Sequence, residues 1–144
     1  MGILSFDIVD YLSSQGIGTP ATDLWVGEVP AGSCGLAVRE TGGYFPVHTF
    51  GASPSGIGAP VARVERPRIQ LFARYAAYAT ARAKIQDAFN VLDGLQARTI
   101  NGTLYQYISA VQSPSDLGRS AGNQASEWTA NFDVAKSVST STTT

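Results

Sequence analysis

A strand that runs almost directly into a long amphipathic helix, and from there into an Asn-Gly hairpin, most narrows what this chain can fold into. Ile69, Leu71 and Ala73 alternate with Gln70, Phe72 and Arg74, a period of two with one more polar face. The period then becomes helical: over residues 75–92, Tyr78, Ala81, Ile85, Ala88, Phe89 and Leu92 form an apolar stripe. Arg82, Lys84, Gln86, Asp87 and Asn90 fall away from that stripe, and Asp93-Gly94 supplies the stop. Asn101-Gly102, flanked by residues 98–100 and 103–111, is the strongest short hairpin signal, because both residues tolerate the positive φ of a tight turn. A last strand is expected at 127–134, with Trp128, Ala130, Phe132 and Val134 on one face.

The first half is read in the same way. Leu4, Ile8, Tyr11 and Leu12 share a helical face, Ser5 is the expected N-cap, and Gly16 is placed to end the helix with Ile17 packing back on Leu12. Residues 24–29 and 34–39 read as two strands joined by Pro30-Ala31-Gly32-Ser33, a connection of hairpin length. Thr41-Gly42-Gly43 reads as a further turn, and residues 44–50 as an extended stretch that Pro46 restricts to a sheet edge. Residues 51–60 are rich in Gly, Ala, Ser and Pro and read as a long flexible loop. Residues 113–123 read as a polar loop, and the Ser/Thr-rich residues 137–144 as a disordered tail. The expected fold is therefore α+β: a single domain over residues 1–136, with a mixed, mainly antiparallel sheet packed by two helices.

Charge limits the function classes. Only 15% of the residues are charged, against about 25% in ordinary soluble domains, and the net charge is −1. A chain with so few charges covers part of its surface with partners or keeps a neutral Ser/Thr exterior. It also lacks the basic footprint of a dedicated nucleic-acid binder. Residues 1–10 lack a basic region followed by a long apolar run, so no signal peptide is expected. No apolar stretch approaches the ~18 residues that suggest a membrane span.

The residues that could carry chemistry are few. His48 is the only histidine, which rules out a multi-histidine metal site, and its sequence neighbours include no acid. Cys34 has no second cysteine to pair with and is expected as a small buried thiol in a strand. Asp7 and Asp10 on the first helix suit its positive N-terminal end better than a metal ion. Gly56-Ile57-Gly58 lacks the third glycine of a phosphate-binding loop. Tyr75, Tyr78, Tyr105 and Tyr107 could be pictured as stacking platforms for bases, but their helix and strand spacing favours core or interface packing. No catalytic residue, cofactor or metal ligand is expected, and the usefulness of the chain is expected to lie in its surfaces.

Several motifs, taken in order, resemble one family. They are Trp25-Val26-Gly27 before Pro30, Cys34-Gly35-Leu36-Ala37-Val38 running into Glu40-Thr41-Gly42-Gly43, and Pro67-Arg68-Ile69-Gln70-Leu71 with Arg74. Tyr78 and the Ala-rich helix follow, then Ile108 through Gln112 to Pro114, Leu117-Gly118-Arg119, and Asn131-Phe132-Asp133-Val134. From about Ile3 to Val134 the chain resembles the tail terminator, or tail completion, proteins of long-tailed bacteriophages, also called minor capsid proteins. It departs from that pattern at Ser120, where an acidic residue is expected, and in the length of the 51–60 loop. The resemblance implies a non-enzymatic virion protein at the head–tail junction, assembled in the host cytoplasm. It further implies a homo-oligomer, a hexameric ring that caps the tail tube protein, stops its polymerisation and meets the head connector or neck protein. DNA would pass through the lumen without specific binding, and no membrane is involved. The expected subunit or partner contacts are Trp25, Tyr44, Phe45, Asp116 and Arg119. The neighbouring readings are another neck protein or a tail tube protein, the latter disfavoured because the chain reads as short of strands. From a different class, the alternative is a small-ligand-binding domain or enzyme.

Overall fold

The computed structural model describes residues 4–51, 59–119 and 125–139; the side chains of 44–63, 138 and 139 also lie outside the description. Among the described residues two helices, α1 (Leu4–Ser14) and α2 (Tyr78–Leu92), accompany seven strands. These are β1 (Leu24–Val26), β2 (Gly35–Gly51), β3 (Ala59–Tyr75), β4 (Leu95–Ile100), β5 (Thr103–Ala110), β6 (Ser115–Arg119) and β7 (Ser126–Ser139). They form one sheet in the order β1-β2-β3-β7-β5-β4, with β6 paired to β7 beside the end of β5. All described strand pairings are antiparallel except β1 with β2, and an isolated bridge from Pro20 to Leu24 is also parallel. The expected α+β class and mixed sheet are both present.

Alternation along the strands decides which face the helices cover. Leu36 and Val38 of β2, Ile69, Leu71 and Ala73 of β3, and Trp128, Ala130, Phe132 and Val134 of β7 join one core with the apolar stripes of α1 and α2. Leu4, Ile8 and Leu12 represent α1 there, and Ala81, Ile85, Ala88 and Leu92 represent α2. Both helices therefore lie on the same side. The interleaved residues Arg39, Gln70, Arg74, Glu127 and Asn131 look out from the opposite, helix-free face.

Local chemistry sets the ends of the elements. The φ of Gly16 is 80°, and α1 closes with Ile17 N–H on the Leu12 carbonyl (3.0 Å) and Gly16 N–H on the Ser13 carbonyl (3.0 Å), the Schellman arrangement. Asn101 (φ 50°) and Gly102 (φ 81°) form the two-residue turn between β4 and β5. Asp93 N–H closes α2 on the Phe89 carbonyl, and the Asp93 carboxylate accepts from the Ala110 amide at 2.8 Å, tying the helix end to β5.

Several expectations are corrected. Ser5 lies inside α1, which starts at Leu4, so it is not the N-cap; its side chain is buried. The first two strands are not a hairpin. Leu24–Val26 runs parallel to residues 36–38, and residues 27–34 carry the chain back to begin β2 beside it. So short a parallel pair needs little return length, and Gly35 (φ 152°) allows the close approach. A Cβ at Gly35 would stand 2.6 Å from the Asp23 carbonyl oxygen. Thr41-Gly42-Gly43 is a bulge inside one continuous strand, not a turn. A Cβ on Gly43 would meet the Arg66 carbonyl oxygen at 2.3 Å and Pro67 Cα at 2.6 Å, so only glycine lets β3 pass.

Tyr75 ends β3 and does not begin α2, and Tyr78 is 52% exposed. Residues 115–119, expected within a loop, pair with β7 as β6. β2 reaches Gly51 and β3 starts at Ala59, which narrows the expected loop, and residues 52–58 lie outside the described residues. β7 continues to Ser139, so residues 137–139 belong to a strand that pairs with β3; residues 140–144 lie outside the description. Cys34 is exposed and precedes β2, where a buried strand thiol was expected. The chain is not short of strands: β2 and β3 run to 17 residues each.

Candidate assembly interface

The helix-free face is built by cross-strand pairs. Registers place Trp25, Ala37, Phe72, Thr129 and Ser115 in one row across β1, β2, β3, β7 and β6. The neighbouring row, from Gly35 through Arg74 and Glu127 to Gly118, carries an ion pair, Arg74 Nε to Glu127 Oε2 at 2.9 Å. One turn of the pleat the other way, Arg39 Nε donates to Gln70 Oε1 at 2.5 Å. Further along, Arg68 Nε pairs with Asp133 Oδ1 at 2.9 Å. The Thr129 hydroxyl donates to the Leu71 carbonyl at 3.1 Å. The face is polar, yet each of these cations sits against an acceptor on the adjacent strand, so it presents no field of one sign.

At the β1 flank this face dips into a small pocket of about 120 Å³. Gly27, Glu28 and Val29 form one wall, and Arg39, Phe72 and Arg74 the other. The Arg74 guanidinium lies 5.4 Å from the Phe72 ring centre and donates from Nη1 to the Val29 carbonyl at 3.3 Å. It fixes the pocket wall while neutralised by Glu127. On the same flank, Trp25 Nε1 is buried with no hydrogen-bond partner among the described residues. An unsatisfied buried donor costs about 1–3 kcal/mol. Tyr75 belongs to this end of β3, and its hydroxyl is pushed up to about 12, first by burial and then by the negative fields of Asp23 and Cys34.

At the other flank β6 carries a bulge between Asp116 and Gly118. Gly118 takes φ 88° and donates its amide to Asp116 Oδ1 at 2.8 Å, an Asx turn within the strand. Leu117 sits at the bulge and is 53% exposed. Near it, Trp128 is packed edge-on by Tyr78 (5.4 Å) and covered by the Arg82 guanidinium (5.2 Å).

The expected contact residues thus fall in three places. Trp25 lies at the β1 flank, and Asp116 and Arg119, both exposed, lie at the β6 flank of the same end of the sheet. Tyr44 and Phe45 lie in β2, away from both, where Tyr44 pairs with Arg66; their side chains fall outside the description. Sequence reasoning missed Leu117 and the pocket residues Phe72 and Arg39. The Asp116-Leu117-Gly118 triplet carried the signal for the first, since Asx-x-Gly is a turn motif.

Asp7 and Asp10 of α1 and Tyr105 of β5 join one hydrogen-bonded cluster. Asp7, 1% exposed, accepts from the Tyr105 hydroxyl at 2.5 Å and from Asn101 Nδ2 at 3.1 Å, and Asp10 accepts from the same amide at 2.8 Å. Helix α1 thereby clamps the tip of the β4–β5 hairpin. Burial, and then the bond to Asp7, raises the Tyr105 hydroxyl well above the usual tyrosine range. Among the described residues no group of three or more His, Cys, Asp or Glu side chains could hold a metal ion. No helix among them is long and apolar enough to cross a membrane.

Comparison with known proteins adds a family. The family described as "Bacteriophage tail terminator protein" matches residues 11–138. No curated protein matches. Among solved structures, the chain is similar to one from "Virion of native gene transfer agent (GTA) particle", at 12% identity and a TM-score of 0.47. That likeness covers 81% of this chain and 80% of the other, and is too distant to bear on function.

Proposed function

Because this chain belongs to the bacteriophage tail terminator family, and is thus a structural protein of the phage tail, we propose that it caps the tail tube as a closed ring. The observation that carries this reading is the family match over residues 11–138, nearly the whole domain. Capping needs a subunit whose one side continues the tube while the other refuses a further tube subunit. It also needs heterologous flanks that close on themselves, as a hexamer would. The ring ends tube polymerisation and offers its far side to the head connector or neck protein, so the chain sits at the head–tail junction of the virion.

The physical features are consistent with that role. A chain with 15% charged residues has surface that neighbours can cover at low desolvation cost. The ion pairs of Arg68 and Arg74 on the helix-free face leave phosphates less to bind there, which suits a surface near passing DNA. The reading assigns no catalytic role, cofactor or metal to any residue. A tail tube subunit is the second reading, favoured by the 17-residue strands β2 and β3, which supply the long hairpin such a subunit needs. The family match favours the terminator. Tyr44 and Phe45, at the outer part of β2, are proposed as contacts, and a charge at either, as in Tyr44→Asp, should impair head–tail joining. In a buried contact that charge costs on the order of a few kcal/mol per subunit.

Deleting the gene tests the function. The terminator reading expects DNA-filled heads without tails, together with free tails of uncontrolled length. Normal-length tails attached to heads would contradict it, and heads accompanied by no polymerised tube at all would favour the tube subunit.

A further inference from the structure

We propose that the bulge of β6 is a knob that docks in the β1–β2 pocket of a second copy of this chain, with Leu117 as its apolar tip. The inference rests on the ring reading and specifies how one subunit meets the next. The two features occupy opposite flanks of the same end of one sheet. Strands β1, β2, β3, β7 and β6 lie side by side, so at roughly 4.8 Å per strand step knob and pocket stand about 19 Å apart. They cannot meet within one molecule. Between two copies they form a heterologous contact, the kind that closes into rings.

Size and chemistry match. The pocket of about 120 Å³ has room on the scale of a single aliphatic side chain, and the Phe72 ring and Val29 provide apolar wall. Leu117 is among the most exposed large hydrophobic residues, held outward by a turn that uses Gly118 at φ 88°. Charge is complementary at the rim. The knob carries Asp116 and Arg119 on either side of Leu117, and the pocket carries exposed Arg39 and exposed Glu28. Seating Leu117 brings the acid of each flank towards the base of the other. The indole N–H of Trp25, buried and without a hydrogen-bond partner among the described residues, lies on the socket flank.

Crosslinking in assembled particles tests this. Virions are prepared carrying Cys34→Ser, Glu28→Cys and Leu117→Cys, all at exposed positions, and oxidised; the copy number of this chain per particle is measured alongside. The inference expects a ladder of covalent multimers on a non-reducing gel, collapsing on reduction and absent from either single-cysteine variant. Several copies per particle with no ladder would overturn the knob-and-socket contact and leave the ring standing. A single copy per particle would remove the ring, and the contact with it. Should the triple variant fail to enter particles, a charge exchange decides. Asp116→Arg alone and Arg39→Asp alone should each lower the yield of tailed particles at least tenfold, with the double variant recovering most of it. Absence of recovery would overturn the proposal.

Discussion

The two faces of the sheet share strands and differ by one residue of register, yet they are built on opposite terms. On the helix side Ile69, Leu71, Ala130 and Phe132 are fully buried, and the face is closed by α1 and α2. On the other side the adjacent residues Gln70, Phe72, Asn131 and Asp133 are only partly covered, and the face is held by ion pairs and amide contacts between neighbouring strands. Burial at about 25 cal/mol per Å² makes the first face the source of stability. Partly exposed ion pairs are worth about 0–1 kcal/mol each, so the second face contributes little to folding and is free to be shaped for partners. Alternation along a strand lets one sheet carry both kinds of face.

That contrast can be broken most easily from the helix side. Phe132→Ala removes a fully buried ring that contacts Phe89 at 5.6 Å, and should cost about 3–5 kcal/mol in urea unfolding. A loss under 1 kcal/mol would mean that the core is not where the contacts place it. Next in size, Tyr105→Phe strips the buried Asp7 carboxylate of its shortest hydrogen bond, and should cost about 1–3 kcal/mol.

Alkali sharpens the same point. Tyr75 and Tyr105 both have folded values raised above the unfolded value of 10.0. As pH climbs past 10 the unfolded chain loses those protons first, so the stability they contribute is full below pH 10. It declines from there, for Tyr75 through about 12. Unfolding midpoints should therefore fall with pH above 10, less steeply in Tyr105→Phe; an identical slope in the variant would contradict the role given to that hydroxyl.

The smallest effects belong to the helix-free face. Arg68→Gln should change stability by less than about 1 kcal/mol, although its ion pair with Asp133 is well formed at 2.9 Å. Trp25→Phe removes a buried donor that has no acceptor among the described residues, and should leave the isolated chain as stable or slightly more so. A large loss in either would show that this face, too, holds the fold together.

The sequence was most legible where short-range chemistry and burial agree. The period-two and period-3.6 stripes located β3, α2 and β7, Asn101-Gly102 marked its turn, and Gly16 with Ile17 closed α1 as expected. It was least legible where a distant backbone decides the outcome. Thr41-Gly42-Gly43 has turn composition, but Gly43 is there because Arg66 and Pro67 pass against it. Residues 24–29 and 34–39 have hairpin spacing, but the edge of the sheet takes up β1 in parallel. The polarity of residues 115–119 hid a strand, because β6 lies at a margin where only its backbone is needed. For the candidate interface, the sequence offers Trp25, Asp116 and Arg119 only one by one, while the row that aligns their flanks exists only through the pairings of β2, β3 and β7.

Imaging intact virions at the junction of head and tail tests the central claim most directly. The account predicts a single closed ring of this fold, seated on the last ring of the tail tube and facing the connector. Density for the chain repeated along the tube, or its absence from that junction, would contradict it.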